Sequence, residues 1–192
     1  MNNTDDFRIE SLTHNDMHKY NHRLCQIFLD AFTTGNYSYN LDKLTPDHAL
    51  SVMHSILGND AGFGYAAFDC CNTASPYYPV GFVFGMLAYY DPLIGQTQMC
   101  QEYDLTKCLY LAELAVDQGH KGRKIGQALV KAAITLAKNS QMPILVRTNE
   151  ANNQLHTFYE RCGFSKLDYT AFQTESVEKR YFLCNGLQLS SL

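Results

Sequence analysis

The amino-acid sequence predicts a mixed α/β fold, with a central mixed sheet of about seven strands flanked by about four helices. Two helical patterns lie near the start of the chain, and short apolar segments typical of strands follow them. The near-continuous apolar run Cys108–Val116 is typical of a central strand covered on both faces. The predicted order is β-α-α-β-β-β-α-β-α-β-β. We expect the 192 residues to form a single domain, 1–192.

The first half of the chain contains three predicted strands and two predicted helices. Alternation of apolar and polar residues indicates the first strand, and a proline in the first turn marks the second helix. The elements are a strand at Phe7–Leu12, a helix from Thr13 or Asn15 to about Phe32, a helix from Thr45–Pro46 to about Leu57, and strands at Gly64–Asp69 and Val80–Tyr90.

The second half contains the clearest helix, because apolar residues recur at spacings of three and four from Ile125 to Ala137. Asn139 and Ser140 end this helix, and Pro143 follows. The other predicted elements are the strand Cys108–Val116, a short strand at Ile144–Arg147, a helix at Asn152–Cys162 that stops at Gly163, and strands at Phe164–Tyr169 and Arg180–Cys184.

The charge is unevenly distributed between the two halves. The net charge of −4 argues against nonspecific nucleic-acid binding. Residues 1–100 carry 10 acidic and 4 basic side chains, a balance of −6, whereas residues 101–192 carry 9 acidic and 11 basic ones, a balance of +2. A cofactor with several phosphates would therefore prefer the second half, and a cationic substrate the first.

Cysteine usage and hydropathy favour a soluble cytoplasmic protein. The seven cysteines contain no CxxC pair, as expected for scattered reduced thiols. The N-terminus has no basic stretch followed by an apolar run, so we expect no secretory signal. The longest apolar stretch, Val80–Tyr90, is about half of what a membrane span needs.

Histidines repeat every four residues at His14, His18 and His22. Such spacing can bind a metal, but nearby acidic or thiol ligands are lacking except for Asp16 and Cys25, which are predicted to face elsewhere. We therefore predict a polar helix face here and no metal site.

The turn between the central strand and the clearest helix reads VDQGHKGRKIGQ from Val116 to Gln127. Small and basic residues at a strand-to-helix turn present backbone N–H groups and a helix dipole to a phosphate. A solvated basic loop explains the same composition equally well. The glycine spacing matches neither GxGxxG nor GxxxxGK[ST], so neither a dinucleotide fold nor a nucleotide triphosphatase is favoured.

This segment resembles the main acetyl-CoA-binding motif of the GNAT superfamily of N-acetyltransferases, whose pattern is Q/R-x-x-G-x-G/A. The six positions run from Lys121 to Gly126. Lys121 replaces the glutamine or arginine and keeps a cation. Lys124 replaces the first glycine, which places a Cβ and a long side chain where the backbone would approach the pyrophosphate. The alternative is that the Lys124 side chain swings outward and contacts a phosphate.

A second motif resembles the family pattern N-x-x-A-x-x-[FL]-Y-x-x-x-G-F. The matching residues are Asn152, Phe158, Tyr159, Gly163 and Phe164. Leu155 stands where alanine is common. Two motifs in the right order, about 30 residues apart, are much more specific than either alone.

The resemblance implies the GNAT acyl-CoA N-acyltransferase fold and acetyl-CoA as co-substrate. It implies transfer of an acetyl group to a primary amine of a small molecule or peptide, by direct attack in a ternary complex. The cofactor-binding residues that it implies are Leu114, Ala115, Val116, Lys121, Gly122, Arg123, Lys124, Ile125, Gly126, Gln127, Asn152 and Tyr159.

Glu113 and Tyr159 are the predicted catalytic residues. A carboxylate helps because an alkylamine has a pKa near 10.4, so that roughly one molecule in a few thousand is neutral at pH 7. Within the run Cys108–Val116, Glu113 is the only ionisable side chain apart from Tyr110 and Cys108. A structural ion pair would also explain it. The resemblance implies that Glu113 is the base and that Tyr159 protonates the departing thiolate, although simple packing would also explain the tyrosine.

Two kinds of function remain open. The chain is an active acetyltransferase, or it is a GNAT-fold binding or regulatory module with weak or no catalysis. For the enzyme we predict a cationic acceptor, because acidic candidates that could rim the cleft lie in the first 100 residues. They are Asp30, Asp42, Asp47 and Asp91. A homodimer is possible, since dimers are common in the family.

Overall fold

The computed structural model describes residues 6–33, 44–71, 78–94, 99–174 and 177–185. The strands among them are β1 Phe7–Ser11, β2 Phe63–Asp69, β3 Pro79–Leu87, β4 Leu109–Val116, β5 Ile144–Asn149, β6 Ser165–Thr174 and β7 Val177–Cys184. The α-helices are α1 His14–Thr33, α2 Pro46–Leu57, α3 Met99–Glu102, α4 Ile125–Asn139 and α5 Asn153–Arg161.

The strands form one mixed sheet in the order β1-β2-β3-β4-β5-β7-β6. β4 pairs with β5 in parallel, whereas β1 with β2, β2 with β3, β5 with β7 and β6 with β7 are antiparallel. The predicted mixed sheet of about seven strands with about four helices is confirmed; the one-turn helix α3 is additional.

The chain divides into two compact units. Unit 1 comprises Met1–Gly85 and Glu113–Ala132, and unit 2 comprises Met86–Ala112 and Ala133–Leu192. In unit 1 the apolar face of α1 is fully buried, and the ring of Phe28 stacks on that of Phe82 in β3 at 6.5 Å between centroids. Gly64 in β2 has no room for a side chain, because a Cβ there would lie 2.7 Å from the ring of Phe84.

Unit 2 is centred on the hairpin β6–β7 and on β5. β5 and β7 pair from Ile144 with Cys184 to Asn149 with Lys179. Tyr181 and Phe182 of β7 are at most 1% exposed. Because consecutive side chains point to opposite faces of a sheet, both faces of β7 are covered here and contribute to the core of this unit.

The ends of two predicted elements differ in the structure. The strand predicted to reach Tyr90 ends at Leu87, because Ala88–Tyr90 forms a 3₁₀ turn, which the N–H of Asp91 closes by bonding to the carbonyl of Ala88. The hairpin β6–β7 is longer than predicted. Glu178, Lys179 and Arg180 are half-buried on it, and these charges hide the strand pattern in the sequence.

Among the described residues, no helix is long and apolar enough to cross a membrane. The cysteines whose side chains are described are free thiols: Cys25, Cys70, Cys71, Cys108, Cys162 and Cys184.

Candidate functional site

The loop between β4 and α4 has an unusual backbone. Gly122 has a φ of +82° and Lys124 a φ of +62°. Among the described residues that are not glycine, only Lys124 and Gln141 have a positive φ. A side chain in this left-handed region costs about 1 kcal/mol. Lys124 therefore adopts the conformation that suits a glycine, at the motif position where the family pattern has one.

The loop leads directly into α4, a helix of 15 residues that begins at Ile125. The first N–H groups of a helix have no partner within the helix. Lysine has no hydrogen-bond acceptor, so the Lys124 side chain cannot cap them. The N–H groups of Ile125, Gly126 and Gln127, with the positive end of the helix dipole, are suited to an anion.

Two of the three predicted cations of this loop are exposed. Lys121 and Lys124 lie at the surface beside the start of α4. Arg123 instead reaches the end of β2, where its Nη2 lies 3.3 Å from Asp69 Oδ1 and donates to the carbonyl of Asp6 at 3.1 Å. The predicted cofactor contact of Arg123 therefore depends on its backbone N–H.

Asp117, the first residue after β4, is held on two sides. Its Oδ1 accepts a hydrogen bond from Arg23 of α1 at 2.6 Å, and its Oδ2 lies 2.7 Å from Nδ1 of His120. Burial alone would raise the pKa of Asp117, but the hydrogen bonds from His120 and Arg23 outweigh burial and lower that pKa. The carboxylate is therefore ionised at neutral pH.

Asp69, at the end of β2, lies on the other side of His120. Its Oδ2 is 3.2 Å from Nε2 of His120. Asp69 is buried, which would raise its pKa, but the hydrogen bonds from Arg123 and His120 outweigh burial and lower it. We call the five side chains Arg23, Asp69, Asp117, His120 and Arg123 the loop-anchor cluster. Of these, the sequence analysis singled out only Arg123 as a site residue.

Glu113 is buried on β4, with 9% of its surface exposed. Burial alternates from Glu113 to the end of the strand: Leu114 and Val116 are half-buried, whereas Ala115 is buried. The register of β4 with β5 covers only Leu109–Leu111. The buried carboxylate thus lies on the part of β4 that follows this parallel pairing.

The second motif forms α5 and its start. Asn152 caps this helix, because its Oδ1 accepts a hydrogen bond from the N–H of Leu155 at 3.1 Å. Tyr159 is 5% exposed, and its ring contacts those of Phe158, Phe164 and Phe182. The aromatic residues of the motif therefore build part of the core of unit 2.

The predicted acidic rim requires one correction. Asp91 is 7% exposed and accepts hydrogen bonds from the N–H groups of Leu93 and Ile94. Arg147 neutralises it at 3.1 Å, as a buried carboxylate requires. The prediction that Asp91 forms part of an acidic rim is therefore wrong.

The other rim candidates lie near α1 and α2. Asp47 is exposed in the first turn of α2, and Asp30 lines a cavity of about 450 Å³ between α1 and α2. Asp42 lies outside the described residues.

The histidines of α1 lie beside a histidine of α2. The ring of His54 is 4.9 Å from that of His14 and 5.7 Å from that of His18, between centroids. Burial and these two neighbours lower the pKa of His54. Within the described ranges, no group of three potential ligands is arranged to hold a metal ion.

Comparison with known families identifies the motif region. The sequence model of the acetyltransferase (GNAT) family matches residues 53–164, which include Glu113, the whole β4–α4 loop and α5. A comparison with curated protein sequences finds no match.

Solved structures share the architecture over nearly the whole chain. Arabidopsis thaliana NAA60 in complex with acetyl-CoA has a TM-score of 0.64 at 18% identity, covering 92% of this chain and 98% of that one. The NatC complex bound to Gag peptide and CoA has a TM-score of 0.65 at 16% identity, covering 94% of this chain and 98% of that one. An acetyltransferase of the GNAT family from Staphylococcus aureus has a TM-score of 0.64 at 20% identity, covering 94% of this chain and 100% of that one. At these identities the likeness establishes the fold.

Proposed function

Because the chain belongs to the acetyltransferase (GNAT) family, we propose that it transfers an acetyl group from acetyl-CoA to a primary amine of a small molecule or peptide. Acetyl-CoA is the co-substrate of this family and supplies the thioester. We also propose that residues 1–192 act as one catalytic domain.

The backbone of the β4–α4 loop carries this proposal. Left-handed φ values at Gly122 and Lys124 precede a helix of 15 residues, and such a turn gathers N–H groups around an anion. We assign the pyrophosphate of acetyl-CoA to the N–H groups from Gly122 to Gln127. The exposed Lys121 and Lys124 add positive charge beside it.

Strand β4 supplies the next part of the proposed site. Leu114, Ala115 and Val116 follow Glu113 beyond the paired register of β4 with β5. We assign their backbone groups to the pantetheine arm, and one of their N–H groups to the oxyanion of the attacked carbonyl. From α5, Asn152 and Tyr159 complete the proposed cofactor contacts.

Glu113 is the proposed base. The amine attacks only when neutral, and a buried carboxylate on a strand is held rigidly enough to remove its proton directly or through water. Tyr159 is the proposed acid, which donates its phenolic proton to the departing thiolate. Neither step needs a covalent intermediate on the enzyme, so the cysteines need not be nucleophiles.

The proposed acceptor is a cationic amine, such as a polyamine, an aminoglycoside or a lysine-bearing peptide. Residues 1–100 carry a balance of −6, and Asp30 lines the cavity between α1 and α2. A negative rim raises the local concentration of cations. We expect kcat/KM for the best acceptor to fall clearly between low and physiological ionic strength, where the Debye length shrinks to about 8 Å. A flat salt response would contradict this choice of acceptor.

The direct test combines thermal melting with turnover. A ligand at 100 times its Kd stabilises the folded state by about 2.7 kcal/mol, so saturating acetyl-CoA is expected to raise the Tm clearly. A panel of amines is then screened for release of the CoA thiol. Stabilisation without turnover on any amine would favour a binding or regulatory module. Absence of stabilisation would contradict the cofactor assignment.

Glu113→Gln tests the base. We expect kcat to fall about 100-fold near pH 7, because the neutral amide cannot accept the proton. The loss is expected to shrink as the pH approaches the amine pKa, near 10.4, where the acceptor is already neutral. A pH–rate profile of both proteins measures this. Equal rates at all pH values would assign proton removal to another group.

A further inference from the structure

The loop-anchor cluster holds the β4–α4 loop from three other elements. Arg23 belongs to α1, and its Nε also donates to the carbonyl of Pro79 at the start of β3 at 3.0 Å. Asp69 ends β2. The N–H of Asp117 bonds to the carbonyl of Val80 at 2.9 Å. The loop is therefore fixed to α1, β2 and β3 immediately before and within the proposed pyrophosphate-binding segment.

His120 is the central member of this cluster. Its Nδ1 faces Asp117 Oδ2 at 2.7 Å, and its Nε2 faces Asp69 Oδ2 at 3.2 Å. Both partners are ionised, and an ionised carboxylate can only accept hydrogen bonds. The imidazole therefore lies between the two carboxylates and links the start of the loop to the end of β2.

The charges of the cluster also suit a phosphate ligand. The guanidinium groups of Arg23 and Arg123 face the carboxylates of Asp117 and Asp69, so the cluster carries no net negative charge. The ion pairs are partly shielded from solvent. The side chains of Arg23, Asp69 and Asp117 are 11%, 12% and 16% exposed, and those of His120 and Arg123 are 22% and 30% exposed. Partly buried pairs are screened by salt less than surface pairs are. The cluster can thus restrain the loop at ordinary ionic strength without adding negative charge.

We propose that His120 is a positioning residue, which bridges Asp117 and Asp69 so that the N–H groups of the following residues stay aimed at the cofactor diphosphate. The inference rests on the proposed function, since it takes the acetyl-CoA site to lie at the start of α4. His120 lies one residue before Lys121, the first position of the motif, and acts through the backbone rather than by touching the cofactor. Its loss is therefore expected to weaken cofactor binding without slowing the chemical step.

The experiment compares His120→Ala with His18→Ala, an exposed histidine of α1 outside the cluster. Calorimetry gives the Kd for acetyl-CoA, steady-state kinetics give kcat, and hydrogen exchange reports on the amides of residues 118–127. For His120→Ala we expect about a tenfold higher Kd, which corresponds to ~1.4 kcal/mol. We also expect kcat at saturating acetyl-CoA within about twofold of wild type, and faster exchange in the loop without ligand. His18→Ala is expected to match wild type.

Two more variants separate positioning from general stability. Ile27→Val removes one methylene from the fully buried face of α1 and is expected to lower the Tm with no change in Kd. His120→Gln keeps one donor for one carboxylate and is expected to recover part of the lost affinity. Asp117→Asn removes a charge of the bridge with little change in shape and is expected to raise the Kd in the same direction as His120→Ala.

The possible failures are distinguishable. If wild type binds no acetyl-CoA, the proposed function and this inference both fall. If wild type binds and His120→Ala binds equally well with unchanged exchange, only the positioning role falls. The role also falls if Ile27→Val raises the Kd as much as His120→Ala does, because loss of stability would then explain the effect.

Discussion

Helices α4 and α5 begin in opposite ways, although both follow a strand and both carry a family motif. Asn152 caps α5, and its side-chain oxygen satisfies the N–H of Leu155. α4 follows Lys124, whose side chain has no acceptor and whose backbone is left-handed. A protein that needed α4 only for its own stability would gain about 1 kcal/mol from an asparagine or serine at its start.

The difference separates a helix end that serves the fold from one suited to a ligand. At α5 the chain itself satisfies a backbone donor. At α4 the side chain of the preceding residue, Lys124, cannot cap the first-turn N–H groups, and positively charged Lys121 and Lys124 lie exposed beside them. Four substitutions test this comparison, and they follow in decreasing order of expected effect.

Tyr159→Phe tests whether α5 contributes to catalysis through its buried face rather than through its N-terminus. We expect kcat to fall about 100-fold with little change in the KM for acetyl-CoA, because only the proton donor is removed. The matched control is Tyr181→Phe, which removes the hydroxyl of another buried tyrosine of unit 2 and is expected to leave kcat unchanged. An unaltered kcat in Tyr159→Phe would mean that Tyr159 contributes only to packing.

Gly126→Val places a branched side chain in the first turn of α4. We expect about a 30-fold weaker affinity for acetyl-CoA, or ~2 kcal/mol, since the pyrophosphate loses close contact with the backbone. The free energy of unfolding is expected to change by less than about 1 kcal/mol, because Gly126 is half-exposed and valine is the better helix former. Calorimetry and denaturant unfolding measure the two effects. Unchanged affinity would move the cofactor away from α4.

Asn152→Ala removes the cap of α5. We expect the free energy of unfolding to fall by about 1 kcal/mol, and Asn152→Ser to restore most of it because serine also caps. We expect any loss of acetyl-CoA affinity to be smaller than in Gly126→Val. If the serine variant regains stability but binds as weakly as Gly126→Val, the amide of Asn152 is a major cofactor ligand and the two helix starts are less different than we infer.

Lys124→Gly relieves the left-handed backbone before α4. The gain of about 1 kcal/mol is partly offset by the greater freedom of glycine in the unfolded chain, so we expect a net stabilisation of about 0.5 kcal/mol. Affinity for acetyl-CoA is expected to be kept or improved, because glycine is the residue of the family pattern at this position and Lys121 still supplies a positive charge. Gln141→Gly is the control, because Gln141 has a similar φ of +55° beyond the other end of α4. It is expected to stabilise without any effect on binding. Abolished binding in Lys124→Gly would make the lysine itself a phosphate ligand.

The order of strands and helices could be predicted because the helices keep an apolar periodicity of about 3.6, and the central strands β3 and β4 are near-continuous apolar runs, as expected of strands covered on both faces. The ends of the elements could be predicted less accurately. Tyr89 and Tyr90 extend an apolar run in the sequence and so suggest a longer strand, although Tyr89 is 62% exposed in the structure. The loop glycines and lysines were visible as a motif. The side chains that anchor the loop could not be predicted, because His120 and Asp69 are 51 residues apart in the sequence, and Arg23 and Asp117 are 94 residues apart. Such pairs depend on strand register, which local spacing does not contain.

The central claim is that the start of α4 binds the diphosphate of acetyl-CoA. Heteronuclear NMR during a titration with acetyl-CoA tests it most directly, with the amides of His48 and Ala49 at the capped start of α2 as internal reference. We expect saturable shifts of the amides from Gly122 to Gln127, while the α2 amides remain in place. Saturable binding that leaves the amides from Gly122 to Gln127 unshifted would contradict the account.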